Sequence, residues 1–266
     1  MIDGKVINNN TNDDAKVLES YLRLLGIDDG GFYVDIGAFN SNVPSSVRNK
    51  ADMIVLCECH PHRQHQVLSL EQNEQNFLAI TEKVTPYNVV ELLENKIKNH
   101  NKYFPDRQPD LVDIDIDGYD YFVLESLLQK FTPTLIVAEI NEKIPPPIKF
   151  TINYHENYWS DLSHYYGASI CKFGELFEKH GYDIVNLTFN NVYAIKREKN
   201  ILFRDYTPEE CYDELYRNAG WETAGFWYNK NVKEWLTLPT DDAILAIEKY
   251  FHECSEQTSF GYEIYK

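Results

Sequence analysis

Acidic residues at alternating positions are the feature of this sequence that most suggests chemistry. Asp113, Asp115 and Asp117 alternate with isoleucines and are followed by Gly118. Side chains of a strand alternate between its two faces, so these three carboxyl groups would share one face and repel each other if buried. Solvent, hydrogen-bond donors, a cation or a raised pKa must offset that repulsion. The pattern favours a functional site over a solvated surface.

A second polar cluster follows the next predicted strand. Residues 135–139 form an apolar run that ends in Glu139, and Ile140 and Asn141 come next. The carboxyl ends of adjacent parallel strands meet at the edge of the sheet where ligands bind. We therefore expect Glu139 and Asn141 to lie near Asp115 and Asp117.

A third signal is the glycine that closes the first predicted strand, in Val34-Asp-Ile-Gly-Ala38. A glycine here lets a ligand approach the backbone closely, and an acid such as Glu58 at the end of the next strand can accept hydrogen bonds from a ribose. Residues 39–46 contain no glycine, so the G-x-G-x-x-G loop that holds a pyrophosphate is missing. The pattern favours a nucleoside without phosphates, such as S-adenosylmethionine, over a dinucleotide.

Hydrophobic patterning predicts the elements that position these residues. Strands alternate with helices, which indicates an α/β fold with a mostly parallel sheet covered on both faces. A carboxyl-terminal β-hairpin around Asn190 and Asn191 completes a seven-stranded, Rossmann-like sheet. Predicted strands lie at 32–37, 53–57, 77–84, 111–117, 135–139, 182–189 and 192–197. Predicted helices lie at 13–25, 62–76, 89–100, 120–129 and 170–180.

Three regions are expected along the chain. Residues 1–29 form an amino-terminal helical segment, and residues 30–200 form the ligand-binding domain. Residues 201–266 form a helical extension, whose first helix begins where Pro208 follows the capping residue Thr207. We expect the extension to serve as a lid or as the contact surface of a homodimer.

Composition narrows the classes of function. The 25 Lys and Arg residues against 42 Asp and Glu give a net charge of −17, which repels phosphate backbones, so no nucleic-acid partner is expected. No stretch approaches the ~18 apolar residues of a membrane span, and the start lacks a signal-peptide pattern. The five scattered cysteines favour reduced thiols. Together these features predict a cytoplasmic protein without membrane insertion.

Taken in order, these residues resemble the FkbM-type methyltransferases. The segments that carry the resemblance are Val34 to Ala38, Glu58, Asp115 to Gly118 with Val123 to Glu125, and Glu139. A subset of the family is closer still, on Asp115 to Tyr121, Glu139 to Asn141, Pro145 to Pro147, and Tyr166 to Ser169. The resemblance covers roughly residues 30 to 197. It implies a class I methyltransferase-like fold that uses S-adenosylmethionine, usually to methylate an oxygen of a sugar or another small molecule.

The resemblance also implies roles for individual residues. Glu58 would hold the ribose hydroxyls, and Asp115 would face the cofactor or the substrate. Methyl transfer depends mainly on alignment, but a hydroxyl acceptor must also lose its proton. The residues expected to bind the cofactor are Asp35, Gly37, Ala38, Glu58 and Asp115. The general bases expected, in order of preference, are Asp117, Glu139 and His155.

A metal site is the alternative use of the same acids. An acid after one strand, with an acid and an asparagine after the next, resembles the Mg²⁺ site of catechol-type and macrolide-sugar O-methyltransferases. Carboxylate and amide oxygens suit Mg²⁺, which could bind the acceptor and lower the pKa of its hydroxyl. The ligands in this alternative are Asp117, Glu139 and Asn141.

The function expected is O-methylation of a small polar acceptor by S-adenosylmethionine. The acceptor would be a sugar, a glycan precursor or a decoration of a capsule-type surface glycan such as a phosphoramidate, and only the family context suggests the glycan. Two other classes stay open. An NAD(P)-dependent oxidoreductase or epimerase on a similar fold is disfavoured by the missing glycine loop. A non-catalytic methyltransferase-like partner protein is disfavoured by the intact acids.

Overall fold

A computed structural model of the protein describes residues 14–39, 41–100, 106–161, 163–218 and 232–266. Its strands are β1 (Phe32–Ile36), β2 (Met53–Cys57), β3 (Phe77–Ile80), β4 (Leu111–Ile114), β5 (Leu135–Glu139), β6 (Lys149–Ile152), β7 (Tyr182–Thr188), β8 (Asn191–Lys196) and β9 (Tyr262–Tyr265). Its α-helices are α1 (Asp14–Leu24), α2 (Ser45–Arg48), α3 (Gln64–Asn73), α4 (Val89–His100), α5 (Asp120–Leu127), α6 (Ile170–His180), α7 (Pro208–Cys211), α8 (Val232–Thr237) and α9 (Thr240–Cys254).

Seven of these strands form one sheet in the order β3-β2-β1-β4-β5-β8-β7. The pairs β1–β2, β1–β4 and β2–β3 are parallel, and β7 and β8 form an antiparallel hairpin. Every residue of β1, β2 and β5 is buried, as expected for strands covered on both faces. The predicted α/β fold with a mostly parallel, seven-stranded, Rossmann-like sheet is confirmed.

Two compact units divide the chain. The amino-terminal unit contains the described residues up to Asp115 together with Phe122–Val137. It holds β1 to β4, and its core is built from aliphatic and aromatic side chains of those strands such as Phe32, Val34 and Ile54. These continuous apolar runs fix the ends of the strands, where the predicted polar residues lie.

The carboxyl-terminal unit contains Ile116–Tyr121 and Ala138–Lys266. Aromatic rings dominate its core: the ring of Phe251 in α9 lies 5.3 Å from that of Phe150 in β6 and 5.4 Å from that of Tyr165. Within this unit β6 and β9 pair antiparallel as a separate two-stranded sheet. The region predicted as a helical extension therefore also supplies a strand.

The helix that follows α7 is unusual. Residues Tyr212–Arg217 form a π-helix, which places Tyr212 and Tyr216 with their rings 4.7 Å apart. Both side chains are fully buried, and the Tyr212 hydroxyl donates a hydrogen bond to the carbonyl of Glu142. Segments of this kind are frequent near functional sites.

None of the helices in the described part of the chain has the length and apolar character needed to cross a bilayer.

Candidate functional site

The loop after β1 is organised by a buried carboxylate. Asp35 is 0% exposed, and its Oδ2 accepts a hydrogen bond from the backbone N–H of Asn42 at 2.8 Å. Its Oδ1 has no hydrogen-bond partner within the described residues. Arg48 of α2 donates to the carbonyls of Ser41 at 2.9 Å and Val43 at 2.6 Å. Side chains at both ends of the loop therefore hold its shape.

The same loop adopts left-handed backbone conformations. Gly37 has a φ of 93°, which needs a glycine, but Phe39 and Ser41 also have positive φ values of 38° and 74°. Such residues cost on the order of 1–3 kcal/mol each and persist only where the surroundings enforce them, often at ligand sites. The backbone N–H groups of Gly37 and Ala38 both donate to the carbonyl of Cys57, at 2.9 and 3.1 Å. These bonds join the ends of β1 and β2.

Burial controls the protonation of Asp35. It raises the pKa of this carboxyl from 3.8 to about 7, and the negative charge of Asp115 acts in the same direction. Hydrogen bonds from Asn42 and Ser41 and the charge of Arg48 only partly oppose this rise. A substantial fraction of the free protein therefore carries a protonated Asp35 at neutral pH.

Glu58 occupies the same edge of the sheet. It follows β2 directly, and the parallel register pairs Ile36 with Cys57, so Gly37 and Glu58 come after neighbouring strand ends. Its backbone N–H donates to the carbonyl of Ile80 at 3.0 Å, and its Oε1 accepts from the N–H of His60 at 2.7 Å. These contacts fix the position of the carboxylate.

Asp115 completes the set predicted to bind a cofactor. Its backbone N–H donates to the carbonyl of Ile36 at 2.9 Å, which places it beside the end of β1. The structure thus brings Asp35, Gly37, Ala38, Glu58 and Asp115 to one edge of the amino-terminal unit.

The carboxyl-terminal unit contains a cavity of about 100 Å³. This volume is large enough for several water molecules or for one functional group of a ligand. Most of the residues that line it are polar: Asp117, Glu139, Glu142, Lys143, Ser160, Ser163, His164, Tyr166 and Asn190, with Phe189. Two of the three predicted bases are therefore in this cavity.

Asp117 and Glu139 are close together. Each has a carboxylate oxygen within 4.8 Å of one on the other. Glu139 is nearly buried, and its Oε1 accepts from the side-chain amide of Asn190 at 2.8 Å. Asp117 is exposed and has a φ of 55°, a left-handed conformation that aspartate tolerates better than most residues. The arrangement offers one fixed and one accessible carboxylate.

A residue not predicted to be in the site builds the turn that carries Asp117. The buried side chain of Asp120 accepts hydrogen bonds from the backbone N–H groups of Ile116, at 2.7 Å, and Gly118, at 3.0 Å. These bonds clamp both sides of Asp117. Two sequence signals involve Asp120: it starts a predicted helix, where aspartate is common, and it belongs to the segment from Asp115 to Tyr121 that resembles the family.

Three side chains joined by one ion pair and two hydrogen bonds form a ring in one wall of the cavity. Lys143 Nζ lies 2.7 Å from Glu142 Oε1 and donates to the Tyr166 hydroxyl at 2.6 Å, which donates to Glu142 Oε2 at 2.8 Å. The side chains of Glu142 and Lys143 are 0% and 4% exposed. Burial and the charge of Glu142 raise the pKa of Tyr166 well above its usual range. Tyr166 is therefore a neutral member of the ring.

Two residues predicted to act in the site, Asn141 as a metal ligand and His155 as a base, make contacts that do not favour those roles. The amide nitrogen of Asn141 donates to the carbonyls of His164 and Tyr166, both at 2.9 Å, and its oxygen accepts from the N–H of Lys143 at 3.3 Å. These bonds commit Asn141 to positioning the cavity wall and do not favour a role as metal ligand. His155 stacks on Phe260 with the ring centres 3.9 Å apart, and it is not among the residues that line the cavity.

Comparison with known proteins finds similarity of structure only. No family model matches the chain, and no curated protein matches it. A proposed hemolysin from Streptococcus thermophilus is 12% identical over 83% of this chain and 78% of that one, with a TM-score of 0.44. Magnesium protoporphyrin IX methyltransferase from Synechocystis PCC 6803, which has bound SAM, is 9% identical over 73% and 86%, with a TM-score of 0.41.

A SAM-dependent methyltransferase from Aquifex aeolicus is 12% identical over 72% of this chain and 100% of that one, with a TM-score of 0.37. Similarities of this extent do not identify an activity. The chain's own residues must therefore carry any functional assignment.

Proposed function

We propose that this protein is an S-adenosylmethionine-dependent methyltransferase that methylates an oxygen of a small polar acceptor. The observation that supports this most is the placement of Gly37 and Glu58 after the ends of neighbouring parallel strands. Gly37 has no side chain and lets a ligand approach the backbone, and the fixed carboxylate of Glu58 can accept hydrogen bonds from the sugar of a nucleoside. Asp35 and Arg48 hold the backbone of residues 41–43, and the sequence of residues 39–46 contains no glycine, which argues against a pyrophosphate.

The residues at this edge fit the cofactor. Glu58 would accept hydrogen bonds from the ribose hydroxyls, and Gly37 would let the ligand approach the backbone. The buried Oδ1 of Asp35 has no partner within the described residues, and a donor on the ligand would satisfy it. When bound, S-adenosylmethionine supplies a methyl group on a sulfonium, a good leaving group.

We assign the acceptor to the cavity of the carboxyl-terminal unit. Asp117 is the first candidate for the base that takes the proton of an acceptor hydroxyl, because it lines the cavity and its carboxylate is exposed. Glu139, held by Asn190, would orient the acceptor or take the proton in its place. The mixture of carboxylate, amide and hydroxyl groups suits a polyhydroxyl acceptor such as a sugar.

The finer parts of this proposal come from the resemblance to FkbM-type methyltransferases. They are the glycan context, a phosphoramidate decoration as an acceptor, and methylation at oxygen. Mg²⁺ bound by Asp117 and Glu139 is the alternative to a base at this position, since their oxygens are the ligands this ion prefers. In that case the ion would polarise the acceptor hydroxyl, and the acids would not take its proton directly.

Calorimetric titration of the whole chain with S-adenosylhomocysteine tests the proposal. We expect binding in the micromolar range, weakened at least about tenfold in Glu58→Gln, which loses the charged ribose acceptor. Glu91→Gln, an exposed acid on α4, is the matched control and should bind normally. Folded protein that shows no binding of S-adenosylhomocysteine would refute the proposal.

Repeating the titration with Mg²⁺ tests whether Asp117 and Glu139 bind a metal ion or act as a base. Enhanced binding in Mg²⁺ that disappears in Asp117→Asn would favour the metal site. Binding that does not respond to Mg²⁺ would favour the base.

A further inference from the structure

A buried histidine lines the cavity of the carboxyl-terminal unit and has no role in the proposed reaction so far. His164 is 1% exposed and is one of the residues that line this cavity. A neutral imidazole has one N–H donor and one acceptor nitrogen, so it can pair with a hydroxyl group in either direction. A few polar groups placed in this way fix the orientation of a ligand in its site.

The backbone and the ring of His164 are fixed from two sides. The side-chain amide of Asn141, just after β5, donates to its carbonyl at 2.9 Å. Tyr250 of α9 stacks on the imidazole with the ring centres 5.1 Å apart, and Trp235 of α8 makes a T-shaped contact with it at 5.6 Å. Aromatic contacts of this geometry are favourable and restrict the orientation of the ring. His164 is therefore held in place before a ligand binds.

The two supporting rings also pack on each other. The ring centres of Trp235 and Tyr250 are 5.4 Å apart, and Trp235 is 1% exposed. Burying an imidazole costs desolvation free energy that a hydrocarbon ring does not, so packing alone would favour phenylalanine at position 164. The histidine in this aromatic setting indicates a use for its ring nitrogens.

The neighbouring residues of the cavity indicate the chemistry of the ligand. Tyr166 and Phe189 add two further rings, and Ser160, Ser163 and Asn190 add hydroxyl and amide groups. A pyranose has apolar C–H faces and a rim of hydroxyl groups, so it can use both kinds of contact. The lining therefore fits a sugar better than a purely apolar ligand.

The charges of the cavity argue against an anionic ligand. Lys143 is the one lysine or arginine among the described residues that line it, and it is paired with the buried Glu142. Asp117 and Glu139 add negative charge to the same lining. A phosphate or carboxylate placed beside them would be repelled. A neutral sugar is therefore the ligand that these charges favour.

We propose that His164 is a specificity-determining contact for the acceptor, and that its imidazole forms a hydrogen bond with a hydroxyl group of a neutral pyranose. The inference rests on the proposed function, which assigns the acceptor to this cavity. His164 binds the acceptor, and Asp117 takes the proton. Tyr250 and Trp235 are positioning residues that act on the acceptor through the ring of His164, so α8 and α9 take part in acceptor selection.

Saturation-transfer NMR of the whole chain with neutral pyranoses tests the proposal. The probes are methyl β-glucopyranoside, methyl β-galactopyranoside and methyl α-mannopyranoside. We expect at least one of them to bind, and its fully O-methylated form to bind at least about tenfold more weakly, because that form has no hydroxyl to donate.

Substitutions at position 164 separate hydrogen bonding from packing. His164→Phe keeps a ring for Tyr250 and Trp235 but loses both nitrogens, and it should weaken binding of the glycoside about tenfold. His164→Gln keeps a donor and an acceptor, so it should bind more tightly than His164→Phe. His252→Phe replaces an exposed histidine on α9 and is the matched control, which should bind as the wild type does.

Substitutions of Tyr250 test the support of the ring. Tyr250→Leu removes the stacked ring and should weaken binding of the glycoside at least about threefold. Tyr250→Phe keeps the ring and should bind as the wild type does. Equal binding by the two variants would show that stacking on Tyr250 does not position His164.

Titration of the same samples with S-adenosylhomocysteine distinguishes failure of this inference from failure of the proposed function. Folded wild-type protein that binds S-adenosylhomocysteine but none of the three glycosides would overturn the inference alone, as would His164→Phe that binds the glycoside like the wild type. Folded protein that does not bind S-adenosylhomocysteine would overturn the proposed function as well. If His164→Phe does not fold, His164→Gln and the two variants of Tyr250 decide the question.

Discussion

Asp35 and Glu142 are both carboxylates with no exposed surface, but only Glu142 is paired with a cation. At the edge of β1 and β2, Asp35 receives a backbone N–H and has a raised pKa. In the cavity wall, Glu142 is closed into a ring with Lys143 and Tyr166. The unpaired acid is suited to respond to a ligand, whereas the paired one is suited to hold a wall in place.

The largest effect on stability should come from removing the cation of the ring formed by Glu142, Lys143 and Tyr166. Lys143→Met leaves Glu142 buried without its cation, which should lower the free energy of unfolding by about 3–5 kcal/mol. Urea denaturation measures this loss. Lys149→Met is the control, because Lys149 is paired with Glu175 at the surface and should cost less than about 1 kcal/mol. Equal losses in the two variants would show that the ring is not different from a surface ion pair.

A double variant sharpens the same test. Glu142→Gln with Lys143→Met removes both charges, so it should be more stable than Lys143→Met alone. If the double variant is less stable than the single one, the loss comes from packing and not from the unpaired carboxylate.

The turn that carries Asp117 should give the next largest effect. Asp120→Ala leaves the N–H groups of Ile116 and Gly118 without their acceptor, which should cost about 2–3 kcal/mol of unfolding free energy. Asp120→Asn keeps one acceptor oxygen and should cost less. Urea denaturation measures the unfolding free energy of both variants. An Asp120→Ala protein as stable as the wild type would show that the hydrogen bonds of Asp120 do not stabilise the turn.

Removing the unpaired acid should change how stability depends on pH. The pKa of Asp35 is about 7 in the folded protein and near 3.8 when unfolded, so the folded state binds the extra proton. Its contribution to stability is therefore full below about pH 4 and is lost as pH rises to about 7. Asp35→Asn lacks this loss, so its stability relative to the wild type should increase by more than about 1 kcal/mol from pH 4 to pH 8. A difference that does not vary with pH would contradict the raised pKa.

Much of the scaffold was predictable because its signals are local. Helix α6 matches its predicted bounds, since the Ser169 hydroxyl accepts from the N–H of Lys172 at its start and Gly181 adopts a φ of 72° at its end. The glycine at the end of β1 and the acid at the end of β2 were predicted in the same way. Both depend on residues that are neighbours along the chain or follow adjacent strands.

Other features depend on contacts that local patterns do not show. Strand β6 pairs with β9, more than a hundred residues later, and neither short segment was predicted as a strand. The hairpin turn lies at Phe189 and Asn190, one residue earlier than predicted. The prediction placed the turn at the two asparagines, but Phe189 occupies a turn position with a positive φ, where asparagine or glycine is more common. The buried Glu142–Lys143 pair was missed because adjacent opposite charges normally indicate a solvated surface.

The smallest effect should come from replacing His155. Comparing it with the replacement of Asp117 tests which of the two residues takes the proton of the acceptor. His155 stacks on Phe260 and is not among the residues that line the cavity, whereas Asp117 lines it and has an accessible carboxylate. Once an acceptor is found, His155→Ala should keep the wild-type turnover within about twofold, and Asp117→Asn should lose about 10²-fold or more, the range of general-base catalysis. Turnover with S-adenosylmethionine in excess measures both. Equal losses would mean that the proton leaves through His155 and that the cavity only binds the acceptor.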